Sequence, residues 1–328
     1  MDFISISKDV MLLICTYLDD GNVINLFSTC TDFYKYSKIY KFNEFHSYNK
    51  VIKRSYYENF LAIKNYIEGN LHDNIKKLCF VDSEEWIKIN DSLPDSIDYL
   101  EFNVNLIASL QGKLPTNVKE LVFKNISYQI LPKILPQTLI SLTIKYYDHL
   151  TQINFPESLQ ELNLNANTCL DIIFPKNLKK LKLFIEITVG DIDFPNKLTY
   201  LDYNKDIIKF LPDTLESLTL YYSNTYLSVL SFIPCNLKNL YLFDIFSSPY
   251  DSVNTCNFFR YVDFSHFIKK LPENIEYIEF ACSDNLIKFH TIILNLIIPD
   301  FEKISESKLH HKNSFNSLFF IRKVNVEI

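Results

Sequence analysis

The chain has 328 residues, 48% of them hydrophobic, which is enough to bury a sizeable core, and its 4 glycines are too few to write a G-x-G-x-x-G or G-x-x-x-x-G-K-[ST] phosphate loop. Formal net charge is -6, from 33 Lys+Arg against 39 Asp+Glu with no basic run, so neither nucleic acid nor an anionic membrane is expected as a partner.

The first 45 residues carry a helical period. Val10, Leu13, Ile14, Tyr17 and Leu18 fall at i, i+3, i+4, i+7 and i+8, one face of a helix with Ser7 as N-cap and Asp19-Asp20-Gly21 as its stop. A second short helix is expected through Val23, Leu26, Phe27 and Cys30, and a third from Asp32 through Phe33, Tyr36, Ile39 and Tyr40. The run Ile6 to Asp20, followed by Leu26, Ser28-Thr29-Cys30 and Phe33-Tyr34, resembles an F-box, with Ile6-Ser7 standing where that family has Leu-Pro. The resemblance implies docking on a Skp-type adaptor, and through it on a cullin-RING ubiquitin ligase, by Ile6, Val10, Met11, Ile14, Leu18 and Leu26. Left open beside it is a helical cap that closes the apolar N-terminal end of a repeat array.

Residues 46–69 read as a helical linker or cap, an amphipathic stretch through Val51, Ile52, Phe60, Leu61, Ile63, Tyr66 and Ile67 that ends at Gly69. From about residue 70 to 284 one phrase recurs: apolar-Pro-x-x-apolar-x-x-apolar-x-apolar. Its nine copies sit at Pro94, Pro115, Pro136, Pro156, Pro175, Pro195, Pro212, Pro234 and Pro272, spaced 21, 21, 20, 19, 20, 17, 22 and 38 residues apart. Two further copies are expected, one with His72 in the Pro position and one with Cys256, giving eleven units. Apolar residues six and eight after Pro, with a polar one between, make a short strand with one buried face, and Pro, lacking an N–H, belongs in the turn before it. Each unit of about 20 residues is too short for a return helix, so the units stack as a parallel sheet.

This phrase resembles the FNIP repeat, a short relative of the leucine-rich repeat found in amoebae and their large DNA viruses; Leu211, Pro212, Thr214, Leu215, Leu218 and Leu220 show its core. The expected fold class is α+β: an F-box-like helical segment over 1–45, the linker over 46–69, and a curved leucine-rich-repeat-like solenoid over 70–284. Residues 285–328 form a cap or tail whose runs Ser317 to Ile321 and Val324 to Ile328 suit strands.

Catalysis is not expected. No H-E-x-x-H or G-x-S-x-G occurs, no cofactor or metal site is written, and the 7 cysteines are scattered, which fits a reducing compartment. An acidic start at Asp2 and no apolar run long enough to span a bilayer place the chain in the cytoplasm or nucleus, a host's cytoplasm if viral. Binding remains. Positions five, seven and nine after Pro face away from the core onto a concave sheet, with small or charged groups such as Glu101, Lys124, Thr143, Asn163 and Lys182 in the early units. Later units place aromatics there, and Phe184, Tyr200, Tyr221, Tyr241, Phe243, Tyr261 and Tyr277 are the expected anchors for an unidentified target protein, bound by a monomer.

Overall fold

The computed structural model describes residues 6–66, 71–81, 93–106, 114–126, 135–145, 149–150, 154–170, 172–189, 192–204, 210–222, 233–244, 271–283, 301–309 and 315–322. The chain divides into two compact units, Met1–Tyr146 and Tyr147–Ile328.

The first unit opens with helices α1 (Lys8–Cys15), α2 (Asp20–Ser28) and α3 (Thr31–Tyr34), the last continued by a 3₁₀ turn over Lys35–Lys38. Ser7 caps α1 as expected, its hydroxyl accepting from the Val10 N–H at 3.4 Å. Asp19-Asp20-Gly21, expected to stop α1, instead starts α2. A carboxylate fits an N-terminus, where backbone N–H groups are unpaired, and Asp19 Oδ1 accepts from the Asn22 N–H at 2.7 Å.

The helical linker or cap expected over 46–69 is, among the described residues, a series of short strands and turns with one short helix. The segment holds β1 (His46–Ser47), the short α4 (Tyr48–Val51), a 3₁₀ turn over Tyr57–Asn59 and β2 (Ala62–Lys64). Phe60, Ala62 and Ile63 are fully buried, and β2 lies parallel to β3 (Lys77–Phe80) with Ile63 opposite Leu78. The sheet therefore begins before the first recognisable repeat. Asn65 ends β2 at φ 59°, a left-handed conformation that Asn tolerates better than most residues. β4 (Tyr99–Leu106), β5 (Glu120–Ile126) and β6 (Ser141–Ile144) follow in parallel register, Leu78, Leu100, Leu121 and Leu142 in one row.

The second unit contains β7 (His149–Leu150) beside β8 (Glu161–Leu170), then β9 (Lys180–Val189), β10 (Tyr200–Tyr203), β11 (Ser217–Tyr222), β12 (Asn239–Asp244) and β13 (Tyr277–Ser283), all parallel. It ends in a reversal: β15 (Phe315–Arg322) pairs antiparallel with β13, and β14 (Phe301–Leu309) pairs antiparallel with β15. Ser317 to Ile321 thus lie in a strand, while Val324 to Ile328 are outside the described residues. β12 pairs directly with β13, Leu240 opposite Ile278, so the copy expected at Cys256 contributes no strand between them. The position it would fill is taken, and Cys256 and Tyr261 are outside the described residues.

The physics of one coil repeats. Pro occupies the first position of a turn whose fourth residue donates back to the Pro carbonyl: Ile97 to Pro94 at 3.1 Å, Leu178 to Pro175 at 3.1 Å and Leu215 to Pro212 at 3.1 Å. Pro loses nothing there, because only its carbonyl is used. The next two N–H groups converge on one carbonyl of the preceding coil, as Lys179 and Lys180 do on Gln160 at 2.8 and 3.0 Å. The turn aims the residue three after Pro into the core, and Ile97, Val118, Leu139, Leu159, Leu178, Leu198, Leu215, Leu237 and Ile275 are all fully buried. Each such side chain stabilises its coil by about 1.5–3 kcal/mol.

Candidate functional site

Helix α1 is apolar on every side between Val10 and Cys15, so its period alone does not say which face is covered. Met11 and Cys15, four residues apart, are the buried pair, at 1% and 0% exposure. Val10, Leu13, Ile14 and Tyr17 form an exposed stripe at 49%, 57%, 38% and 83%. Of the residues expected to meet an adaptor, Val10 and Ile14 are exposed, Ile6, Leu18 and Leu26 are half-buried, and Met11 is in the core. The placement of Met11 corrects the expectation for that residue. It lies opposite the stripe and contributes to folding.

The covered side of the helical segment closes on the first sheet coil. Phe27 meets Tyr40 and Phe42 edge-on at 5.9 and 6.5 Å, Phe42 stacks on Phe60 at 4.4 Å, and Phe42 and Phe60 are joined by a parallel bridge. Asp20, only 3% exposed, ties the segments together: its carboxylate accepts from the Tyr40 hydroxyl at 3.1 Å and the Glu44 N–H at 2.8 Å, and lies 3.3 Å from His46 Nε2. Burial acts to raise its pKa, but the bonds from His46, Glu44 and Tyr40 outweigh it and hold the carboxyl below the usual range, while burial and Asp20 together push Tyr40 up to about 12. A lowered folded pKa means that the stabilisation is complete above the ordinary carboxylate range and is lost as pH falls through the folded value. Asp20→Asn is expected to cost about 1–3 kcal/mol at neutral pH. In thermal melts its deficit against wild type should narrow as pH is lowered toward 3; a deficit independent of pH would contradict this assignment.

The second surface is the sheet face opposite the core, in the second unit. Strand register sets two rows side by side. Tyr200, Ser217, Asn239 and Tyr277 form one, and Asp202, Thr219, Tyr241 and Glu279 form the other. Tyr241 and Tyr277 lie 5.5 Å apart, the Tyr277 hydroxyl donates to Glu279 Oε2 at 3.4 Å, and Lys182 Nζ sits 5.7 Å from the Tyr200 ring centre and 3.8 Å from Asp202 Oδ2. Burial first, and then the Glu279 charge, raise both the Tyr241 and Tyr277 phenols, which remain neutral donors at physiological pH. Phe184, Tyr200, Tyr241 and Tyr277, four of the expected anchors, are half-buried on this face; the side chains of Tyr221 and Phe243 are outside the described set. The polar row was not anticipated. Asp202, Thr219 and Glu279 are only 5%, 5% and 7% exposed; they stand seven residues after Pro, where the repeat predicts an outward position, and nothing in the sequence marks that position as covered. In the first unit the same two positions on β4 hold Tyr99 and Glu101, with Tyr99 Oη donating to Glu101 Oε2 at 2.8 Å. Among the described residues no group of three or more His, Cys, Asp or Glu is arranged to hold a metal ion.

The family model described as FNIP Repeat matches residues 108–147, which span the Pro115 and Pro136 turns. An FNIP repeat-containing protein of Acanthamoeba polyphaga mimivirus is 26% identical over 203 residues. Residues 108–147 of this chain are similar to the FNIP repeat. The alignment covers 61% of the chain and 38% of the mimivirus protein, so the chain spans well under half of that relative's length. Among solved structures, YopM from Yersinia enterocolitica WA-314 aligns over 56% of this chain and 55% of its own at 16% identity, with a TM-score of 0.22. That superposition is too loose to bear on the fold, which stands on the strand register.

Neighbouring turns of the repeats are joined by a ladder of polar side chains. The residue two after Pro reaches the neighbouring coil: Asn117 Nδ2 donates to Asp95 O at 3.2 Å, Asn177 Nδ2 to Glu157 O at 3.0 Å and Asn236 Nδ2 to Asp213 O at 2.8 Å. The Thr214 hydroxyl lies 2.9 Å from Asn196 O and 2.8 Å from Leu198 O. Ser, Thr or Asn at this position in LPDS, LPTN and LPQT was the visible signal. Thr214→Val keeps the shape and removes the donor, so a loss of about 0.5–1.5 kcal/mol in denaturant unfolding is expected; no loss would show that the ladder is incidental.

Proposed function

We propose that the chain is a non-catalytic receptor that docks on a Skp-type adaptor through its N-terminal helices and holds a target protein on the tyrosine-bearing face of its repeats. The observation that carries the docking half is the exposed stripe Val10, Leu13, Ile14 and Tyr17, set opposite the buried Met11 and Cys15. A helix that served only as a cap would put its larger apolar face inward. Here that face is outward, which suits a partner helix or groove, because burying each of its aliphatic side chains yields about 1.5–3 kcal/mol. The cullin-RING ligase then supplies the ubiquitin chemistry.

A second reading keeps the repeat solenoid as a protein-binding surface with no ligase link, the helices being a cap. It is favoured by the Phe27, Phe42 and Phe60 cluster and the Asp20 tie, which bind the helices to the first coil. The two separate in a pull-down of the full chain with a purified Skp-type adaptor. Retention of the folded chain supports the receptor; its absence removes the ligase link and leaves the repeat surface as the binding element.

A further inference from the structure

The turn edge of the second unit carries a cavity that neither surface above uses. It encloses about 660 Å³ and is lined by Ile192, Asp193, Phe194 and Asn196 of the Pro195 coil and by Phe210, Leu211, Pro212 and Asp213 of the next. These two turns are separated by 17 residues, the shortest interval among the nine copies. The residues before Pro that line the cavity, Phe194 and Leu211, are half-buried, as are Leu114, Leu135, Ile233 and Leu271 in the same position of other coils. Phe210, two residues before Pro212, projects at 77% exposure, as Ile173 does at 79% two residues before Pro175. The walls are held firmly: Thr214 bridges the two coils through Asn196 O and Leu198 O, and each turn closes through its Pro carbonyl at 3.1 Å.

The lining is an apolar floor with two exposed carboxylates, Asp193 and Asp213, one amide and no basic group. Lys197, on the same turn as Asn196, is drawn the other way, its Nζ donating to Asn177 Oδ1 at 2.8 Å. We propose that this cavity receives a basic side chain, arginine or lysine, from a protein partner. The aliphatic stem lies on Ile192 and Leu211, the cationic head reaches Asp193 and Asp213, and the face of Phe210 adds a cation–π contact. The size suits one or two side chains of a peptide, and the chain's net charge of -6 favours the approach of a basic segment.

The test is a ligand-observed NMR titration of the full chain with blocked alanine pentapeptides whose central residue is arginine, norleucine or glutamate. The arginine peptide is expected to bind at least fivefold more tightly than the norleucine peptide, and the glutamate peptide not to bind. The exposed substitutions Asp193→Asn with Asp213→Asn, and Phe210→Ala, should each weaken the arginine peptide at least threefold while leaving the thermal midpoint unchanged. Equal binding of the norleucine peptide, no binding of the arginine peptide, or undiminished binding by both folded variants would overturn the proposal.

Discussion

Ile14→Asp is expected to abolish adaptor capture, weakening it by at least about 100-fold, or roughly 2.7 kcal/mol, with little change in folding stability. Ile14 lies at the centre of the exposed stripe, one turn from both Val10 and Tyr17, and at 38% exposure its side chain leans on its neighbours without entering the core. A carboxylate there removes apolar contact and would have to be desolvated beneath the partner, a cost that unbound chains never meet. Met11→Asp supplies the contrast. Met11 is 1% exposed on the same side as Cys15, so a charge there should unfold the helical segment whether or not an adaptor is present. Circular dichroism and surface-plasmon binding on the two variants separate the roles. Equal losses of fold in both would show that the stripe is structural.

Phe102→Ala is expected to cost about 3–5 kcal/mol, a large share of the stability of an ordinary domain. Phe102 is fully buried between two parallel rings, Phe80 at 4.9 Å and 3° and Phe123 at 5.3 Å and 11°, each from the adjacent strand. Alanine at this position leaves a cavity shared by two coil interfaces. Because a repeat protein is held by nearest-neighbour contacts, both the β3–β4 and the β4–β5 packing weaken together. Denaturant unfolding measures the loss directly, and a change below about 1 kcal/mol would mean that the stack collapses over the gap.

The sequence exposed most of the repeat because its side-chain rows are periodic in the chain as well as in space: Pro marks the turn, and residues three, six and eight beyond it fall into one core. Where that correspondence fails, the reading fails with it. Ala62, Ile63 and Lys64 form a strand without the Pro phrase and within a segment whose apolar residues also fit a helix, so β2 was hidden. The 38-residue gap before Pro272 invited an extra unit, but only strand register shows that β12 and β13 are direct neighbours. The exposed stripe was legible as an apolar face of α1, while the choice between Val10 and Met11 was not, because both neighbours in sequence are apolar and only packing decides between them. On the sheet face the tyrosines stood out by type. Asp202 and Glu279 did not, since a polar residue at an outward position attracts no notice until its burial is seen.

In the proposed complex one face of α1 docks on an adaptor while the opposite side, Met11 and Cys15, holds the fold together. Hydrogen–deuterium exchange of the full chain with and without a Skp-type adaptor tests it most directly. Slowed exchange across residues 8–18, with 277–283 unchanged, is the predicted result; exchange in 8–18 unaltered by a saturating adaptor would contradict it.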